Sequence, residues 1–328
     1  MNVPLSGYRH GIWRPTHEPT QHDGIIGGVN GTAKGKGVFA CVAAVALLVG
    51  CENPFANSNQ GSAAGQSLGN ALGIAAVPNL RDVGGYGTSN GTAVARGLVY
   101  RSDTFNPLSA QDIGKLARLN LKNDYDLRTP AEVAAQPDQM PPGVQHYVLN
   151  VYGDAASGVP ANLNTLLLDP KQASAELGGL IDATGMASYR NFITLPSARQ
   201  AYHTLFTSLS DRQNLPAVFH CTSGKDRTGW AAAALLSLLG VPKDTVMADY
   251  MLSNDYLLPQ HQQAIDAFVA AGGDRDILVG LYGVKTNWLD AAFDEMQKQY
   301  GSIENYFSEG LGIDAAGQKA LRDLLLGP

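Results

Sequence analysis

Cys221 and Arg227 bracket five residues in the run His220-Cys221-Thr222-Ser223-Gly224-Lys225-Asp226-Arg227-Thr228-Gly229. That spacing lets a short loop wrap backbone N–H groups around a tetrahedral oxyanion. A phosphate held there meets backbone donors and the positive end of a following helix together. A thiol at the base of such a loop, among helix amides, Lys225 and Arg227, is driven toward the thiolate. A thiolate aimed at bound phosphorus is a nucleophile for phosphoryl transfer. A lone cysteine beside a glycine turn would read as a small buried hydrophobe. The Cys-to-Arg spacing with Gly224 inside it favours the anion loop. A magnesium-nucleotide loop is excluded, because Lys225 is followed by Asp226 and not by Ser or Thr.

The elements around the loop must point it at a substrate. Leu215 to Phe219 reads as a short buried strand, and Trp230 to Leu239 as a buried helix closed by Gly240. Upstream, Asn79 to Tyr86 is turn-rich, with Gly84-Gly85 allowing close backbone approach. Thr92 to Tyr100 is expected as a strand. Ser109 is expected to cap a helix over 110–118. Asn123 to Leu127 reads as a strand feeding Arg128-Thr129, and Pro130 with Glu132 opens a short helix. Val144 to Val151 is strand-like. Residues 153–187 are expected to form helices over the mouth of the site, and 188–210 one longer helix. Further helices are predicted from Val241 to Leu252, Gln260 to Ala270, Trp288 to Gln299 and Ala315 to Leu325. Strands separated by helices predict an α/β fold, a parallel-rich sheet flanked by helices with a helical C-terminal part. Sites in such folds lie beyond the C-terminal strand ends, which puts Arg128 and Cys221 on one side.

The loop, read as His-Cys-x-x-Gly-Lys-Asp-Arg-Thr-Gly, resembles that of the bacterial protein tyrosine phosphatases related to secreted mycobacterial and Listeria enzymes. Other matching pieces follow in order: Asn79-Leu80-Arg81-Asp82-Val83-Gly84-Gly85, Arg96 to Ser102, Asp126-Leu127-Arg128-Thr129 with Glu132, Asp249 to Asn254, and Tyr300-Gly301-Ser302. The resemblance spans about residues 75–328 and implies a cysteine-phosphatase-like fold. It implies action on phosphotyrosine and, in some members, on phosphoserine, phosphothreonine and phosphoinositides. It also implicates Asp226, the Asp beside the loop arginine, in catalysis.

Roles for the loop residues follow from charge and geometry. Arg227 offers a planar donor fork for two phosphoryl oxygens. Amides of Thr222, Ser223, Gly224 and the rest of the loop to Arg227 supply further contacts, so the chemistry calls for no metal or cofactor. An acid must protonate the leaving oxygen and then activate water. Asp226 is the first candidate, and a salt bridge pinning Arg128 or another base is its structural alternative. Asp126 is the second candidate, with a purely structural role also open. Lys225 either meets a second phosphate on a phosphoinositide or balances Asp226. Thr228 is placed to donate to the Cys221 sulfur, and Arg128 to contact substrate or to brace the strand end. His220 is expected to bond loop backbone and not to transfer protons. A non-catalytic phospho-binding module and a sulfurtransferase are the competing classes; an intact Cys221, Asp226 and Arg227 argues against the first, the five-residue loop against the second.

The remaining chain sets the context. The 328 residues carry a formal net charge of −6 from 23 basic and 29 acidic side chains, which argues against a general nucleic-acid surface. Residues 1–50 read as a leader and lipoprotein-type signal peptide: Lys34 and Lys36 precede an apolar run that ends Leu48-Val49-Gly50-Cys51. Cys51 is the expected lipidation site and 51–74 a tether, followed by a catalytic domain over 75–328; a buried helix is the alternative for the apolar run. Export to the cell envelope or periplasm, an N-terminal lipid anchor on the membrane and a monomer are the expectations. With Cys41 removed and Cys51 acylated, Cys221 has no intrachain thiol to trap it.

Overall fold

The computed structural model describes residues 69–155 and 163–327. The expected leader, Cys51 and most of the tether lie outside the described residues, as do 156–162 of the segment expected over the mouth. The strands are β1 (Arg81–Asp82), β2 (Ala93–Val94), β3 (Val99–Ser102), β4 (Asn123–Asp126), β5 (Gln145–Val148), β6 (Ala217–His220) and β7 (Leu326–Gly327). The helices are α1 (Ala110–Ala117), α2 (Pro130–Ala135), α3 (Leu163–Leu166), α4 (Pro170–Leu177), α5 (Leu180–Thr194) and α6 (Pro196–Leu209). They continue with α7 (Arg227–Leu238), α8 (Lys243–Ala270), α9 (Arg275–Tyr282), α10 (Thr286–Tyr300), α11 (Ile303–Asn305) and α12 (Ala315–Leu325).

The main sheet runs β1-β3-β6-β4-β5, with β3, β6, β4 and β5 mutually parallel and β1 antiparallel on one edge. The expected parallel-rich α/β fold is therefore present. Side-chain alternation builds both faces. Tyr100 and Val218 pack with Phe105 and with Leu116 of α1 on one side. Val99, Tyr125, Ala217 and Phe219 pack with Leu205 and Leu209 of α6 and with α7 on the other. Helix α7 is buried almost all round, from Arg227 through Leu236 and again at Leu238. Its alanines admit close neighbours, and its buried leucines each contribute about 1.5–3 kcal/mol of apolar burial. Gly240 closes it at φ 87, with Val241 N–H donating to Leu236 C=O at 3.0 Å.

Two capping boxes set helix starts where the sequence pattern placed them. Ser109 and Asp112 open α1; Thr129 and Glu132 open α2 behind Pro130. Gly84 does bring backbones together, since a Cβ there would lie 2.3 Å from Ala95 O. Elsewhere the pattern misled. The strand expected over 92–100 is broken at Arg96-Gly97, where Gly97 turns at φ 75 and its N–H donates to Asp82 Oδ2 at 2.7 Å. The helix expected over 188–210 is two helices, because Pro196 begins α6 and holds Leu195 extended. Conversely, the two helices expected around Pro259 are one: Pro259 sits inside α8 on an exposed position, on the solvent side of the helix. Helix α9, capped by Asp274, was not anticipated.

In register, Ser102 and Asp126 both stand beside His220. The C-terminal ends of β3, β6 and β4 are thus level. Cys221 emerges between Asp103 and Leu127.

Candidate active site

Successive carbonyls of the loop are turned outward and tied to the scaffold. Cys221 O faces His220 Nδ1 at 3.1 Å, and Thr222 O accepts from Thr104 N at 3.1 Å. Ser223 O accepts from Asn79 Nδ2 at 3.0 Å, and Gly224 O from Arg101 Nη2 at 2.9 Å. A peptide plane with its oxygen held outside presents its N–H to the inside, which makes the concavity an anion cradle. Arg101 is in turn fixed at 2.7 Å by Asp249 Oδ2, while Asp249 Oδ1 accepts from Arg81 Nε at 3.1 Å and from Tyr86 OH at 2.8 Å. The motif pieces far apart in sequence are therefore one buried bracket behind the loop. Gly224 is indispensable to it, with φ 64 and backbone of Ser102 pressed against its Cα.

Cys221 lies at the base of the cradle, 2% exposed. Burial, the largest influence, pushes its thiol up. The charge of Arg227 and the hydroxyl and amide of Thr228 outweigh it, so the thiol sits below its ordinary value. Thr228 Oγ1 is buried without a hydrogen-bond partner, and its hydroxyl is among the groups that lower the Cys221 thiol. A measurable consequence follows for pH. The ultraviolet thiolate signal, taken as wild type minus Cys221→Ser, should rise with pH at a midpoint below the ordinary cysteine range. In Thr228→Val that midpoint should move up; an unmoved midpoint would remove Thr228 from the support of the sulfur.

Arg227 arrives with its fork engaged. Nη1 donates to Glu132 Oε2 at 2.9 Å and Nη2 to Glu132 Oε1 at 2.8 Å; Nη2 also reaches Thr222 Oγ1 at 3.2 Å. Its Cζ lies 5.2 Å from the centre of the Tyr152 ring. Burial raises the Glu132 carboxyl, but Arg227 and Thr222 hold it well below the usual carboxylate range. Glu132 thus aims the guanidinium, and a phosphoryl group must share the fork with it. Sequence reasoning placed Glu132 at the opening of a short helix and in a matching piece, but not at Arg227; the side chain both closes the α2 capping box and holds the guanidinium.

Asp226 and Lys225 face one another at the rim. Lys225 Nζ is 3.0 Å from Asp226 Oδ2, and Tyr189 OH donates to Asp226 Oδ1 at 3.0 Å. Tyr250 OH donates to Tyr189 OH at 2.6 Å, extending the chain inward. The salt bridge expected as the alternative for Asp226 exists, with Lys225 and not Arg128. Both residues border a cavity of about 400 Å³ whose other walls include Leu177, Leu180, Ile181, Leu281 and Trp288. Helices α4, α5, α9 and α10 supply those walls, so the described part of the segment expected over the mouth does stand beside the loop. A larger cleft of about 620 Å³, lined by Asn120, Lys122 and Gln145, opens at the opposite ends of β4 and β5 and takes no part.

Two expected site residues are elsewhere engaged. Arg128 is 0% exposed and binds Asp126 through Nε and Nη2, Thr104 Oγ1 at 2.7 Å and Gln136 O at 2.8 Å, with Asp138 as a further partner. It has no donor to spare for substrate and braces the β4 end. Asp126 is 0% exposed as well. Burial pushes its carboxyl up, yet His146 and Arg128 outweigh this and hold it below the usual carboxylate range, ill suited to donate a proton. Tyr189 was not singled out from sequence, and Asn79 and Tyr250 stood in matching pieces without a role, because their roles depend on contacts across the fold. Among the described residues one cluster has donors of metal-ligand type: Asp124, Asp138, His146 and His220.

The chain is similar in sequence to known proteins. A family model described as tyrosine phosphatase family matches residues 72–327. A Cupriavidus necator protein named as a tyrosine-protein phosphatase is 30% identical, over 81% of this chain and 94% of its own length. The triple specificity protein phosphatase PtpB of Mycobacterium tuberculosis is 29% identical, over 76% of this chain and 96% of its own. A tyrosine-protein phosphatase of Nostoc commune is 28% identical, over 68% of this chain and 72% of its own.

Proposed function

The chain belongs to the tyrosine phosphatase family, and from that membership we propose that it hydrolyses aryl phosphomonoesters, phosphotyrosine foremost, through a phosphocysteine on Cys221. The observation that carries this reading is the row of outward-tied carbonyls from Cys221 to Gly224, which leaves the amides around a depressed-pKa thiol. The cavity of about 400 Å³ beside Asp226, walled by leucines and Trp288, suits an aromatic leaving group better than a small hydrophilic alcohol.

In the first step the Cys221 thiolate attacks phosphorus in line and a P–S bond forms. The P–O bond to the aryl group breaks, its electron pair goes to oxygen, and that oxygen takes the proton of the Asp226 carboxyl. The cradle amides and Arg227 carry the charge on the equatorial oxygens. In the second step Asp226, now a carboxylate, takes a proton from water as the water oxygen attacks phosphorus. The P–S bond breaks, the thiolate returns and inorganic phosphate leaves. Tyr189 orients Asp226 in both steps, and an arriving phosphoryl group draws Lys225 away from it.

Leaving-group dependence tests the assignment of Asp226. Asp226→Asn should slow esters of basic phenols by about 10²–10³-fold, while esters of acidic phenols fall far less, since general acid catalysis is worth about 10²–10⁴. Equal losses in both classes would take the acid role from Asp226. The mycobacterial relative is named for triple specificity, so phosphoserine peptide and phosphoinositide are run beside phosphotyrosine peptide. Faster turnover of either would overturn the aryl preference while leaving the nucleophile in place.

A further inference from the structure

Behind the loop, on one face of three adjacent parallel strands, four potential ligands converge. Asp124 comes from β4, His146 from β5, His220 from β6 and Asp138 from the chain after α2. Their ligand atoms all lie within 4.8 Å of one another. We infer that this cluster is a structural binding site for a divalent cation, Zn²⁺ by its donor set, that anchors the strand end carrying Cys221.

The distances are near those such a site needs, with Asp124 turning one oxygen to each histidine. His220 Nε2 is 3.1 Å from Asp124 Oδ1 and 3.4 Å from Asp138 Oδ2. His146 Nε2 is 3.5 Å from Asp138 Oδ2 and 3.9 Å from Asp124 Oδ2. A tetrahedral zinc with bonds of about 2.0–2.1 Å has ligand–ligand edges of about 3.3 Å. Two imidazoles with two carboxylates suit zinc better than magnesium or calcium, which take oxygen ligands.

The second observation is unmet bonding capacity. Asp124 and His220 are each 0% exposed. Both carboxylate oxygens of Asp124 and Nε2 of His220 lack any aligned hydrogen-bond partner, despite standing so close together. Groups that lie within reach yet do not point at each other are aimed at a common point between them. His220 Nδ1 faces Cys221 O at 3.1 Å, and donation there leaves Nε2 as a lone pair beside two carboxylates. That arrangement calls for a positive charge between them, a metal ion or a proton.

Charge gives the same answer. Asp124, Asp126 and Asp138 carry three negative charges against the one positive charge of Arg128. With neutral imidazoles the buried balance is −2, which one divalent cation cancels, as would a proton on each histidine. Asp126, held by Arg128, lies 3.2 Å from the same His146 Nε2, a contact that a bound metal would replace. The His146 side chain is 33% exposed, which gives a metal its way in. The competing occupant is a pair of protons, one on each histidine, making the cluster a salt-bridge network.

The experiment uses the full chain carrying Cys221→Ser, so that zinc on the nucleophile is not mistaken for zinc in the cluster. Protein expressed with zinc and dialysed against metal-free buffer should retain about one zinc per chain by elemental analysis. Re-addition of zinc to chelator-treated protein should raise its melting temperature. His146→Ala, a change at the exposed rim, should weaken zinc binding by at least about tenfold and abolish the melting shift. Should His146→Ala not fold, cobalt(II) decides: a tetrahedral visible spectrum without thiolate charge transfer supports the site. Zinc absent after dialysis with no melting shift, or equal binding by His146→Ala, would overturn the inference in favour of the protonated network.

Discussion

Cys221→Ser is expected to lower turnover of a phosphotyrosine peptide, with no metal added, by at least about 10⁴-fold. The reason lies in what the pocket has been built to do. Arg227 and Thr228 hold the thiol below its ordinary value against the opposing effect of burial, so it ionises more readily than an ordinary cysteine, whereas a serine hydroxyl would stay protonated. The cradle itself does not depend on the sulfur. Its carbonyls are tied to Thr104, Asn79 and Arg101, none of which touches the thiol. The variant should therefore still bind phosphopeptide or vanadate with an affinity within about an order of magnitude of wild type. Calorimetry on the variant beside phosphate-release assays separates the two effects. Retained turnover would remove Cys221 as the nucleophile, and joint loss of binding and turnover would mean that the sulfur supports the cradle after all.

Gly224→Ala should cost about 10²–10³-fold in kcat/KM although it adds only one carbon. A Cβ on Gly224 would stand 2.2 Å from Ser102 O, 2.4 Å from Ser102 C and 2.6 Å from Asp103 N. These are backbone atoms at the end of β3, which is locked to β6 in register and cannot swing aside as a side-chain tip would. The φ of 64 adds roughly 1 kcal/mol or more of strain for any residue with a Cβ. The loop must give way, and the Gly224 carbonyl then leaves Arg101. With it goes the orientation of the neighbouring amides, and a displacement of about 1 Å is enough to cost some 10²-fold. Since α7 and the sheet are held by their own core, far-ultraviolet dichroism should remain that of wild type. Activity within about twofold of wild type would show that the outward-tied carbonyls do not form the working cradle.

Much of this was legible in the chain. The Cys221-to-Arg227 spacing, the strand before it and the buried helix after it are local facts, set by periodicity, by Gly240 as a helix stop and by amide geometry within ten residues. The capping boxes at Ser109 and Thr129 are equally local, because a hydroxyl bonds an N–H three residues on. Where a break depends on one residue's conformation weighed against its surroundings, sequence misled. Pro196 ends one helix and Pro259, on the solvent side of α8, does not.

What tertiary structure alone decided is partnership. Glu132 could have been only a cap; the register of β4 beside β6 delivers it to both terminal nitrogens of Arg227. Asp126 and Arg128 looked like pocket residues because they follow a strand that points at the site, yet burial turns them on each other. Asp249 stands 148 residues from Arg101 in the chain, and the acid that fixes the loop's backbone clamp is found only once α8 packs behind it. The four donors of the cation cluster come from three parallel strands and one loop, with no spacing of their own to read. Local rules act through neighbours in sequence, whereas charge pairing inside a low-dielectric core is settled by which side chains the fold strips of water together.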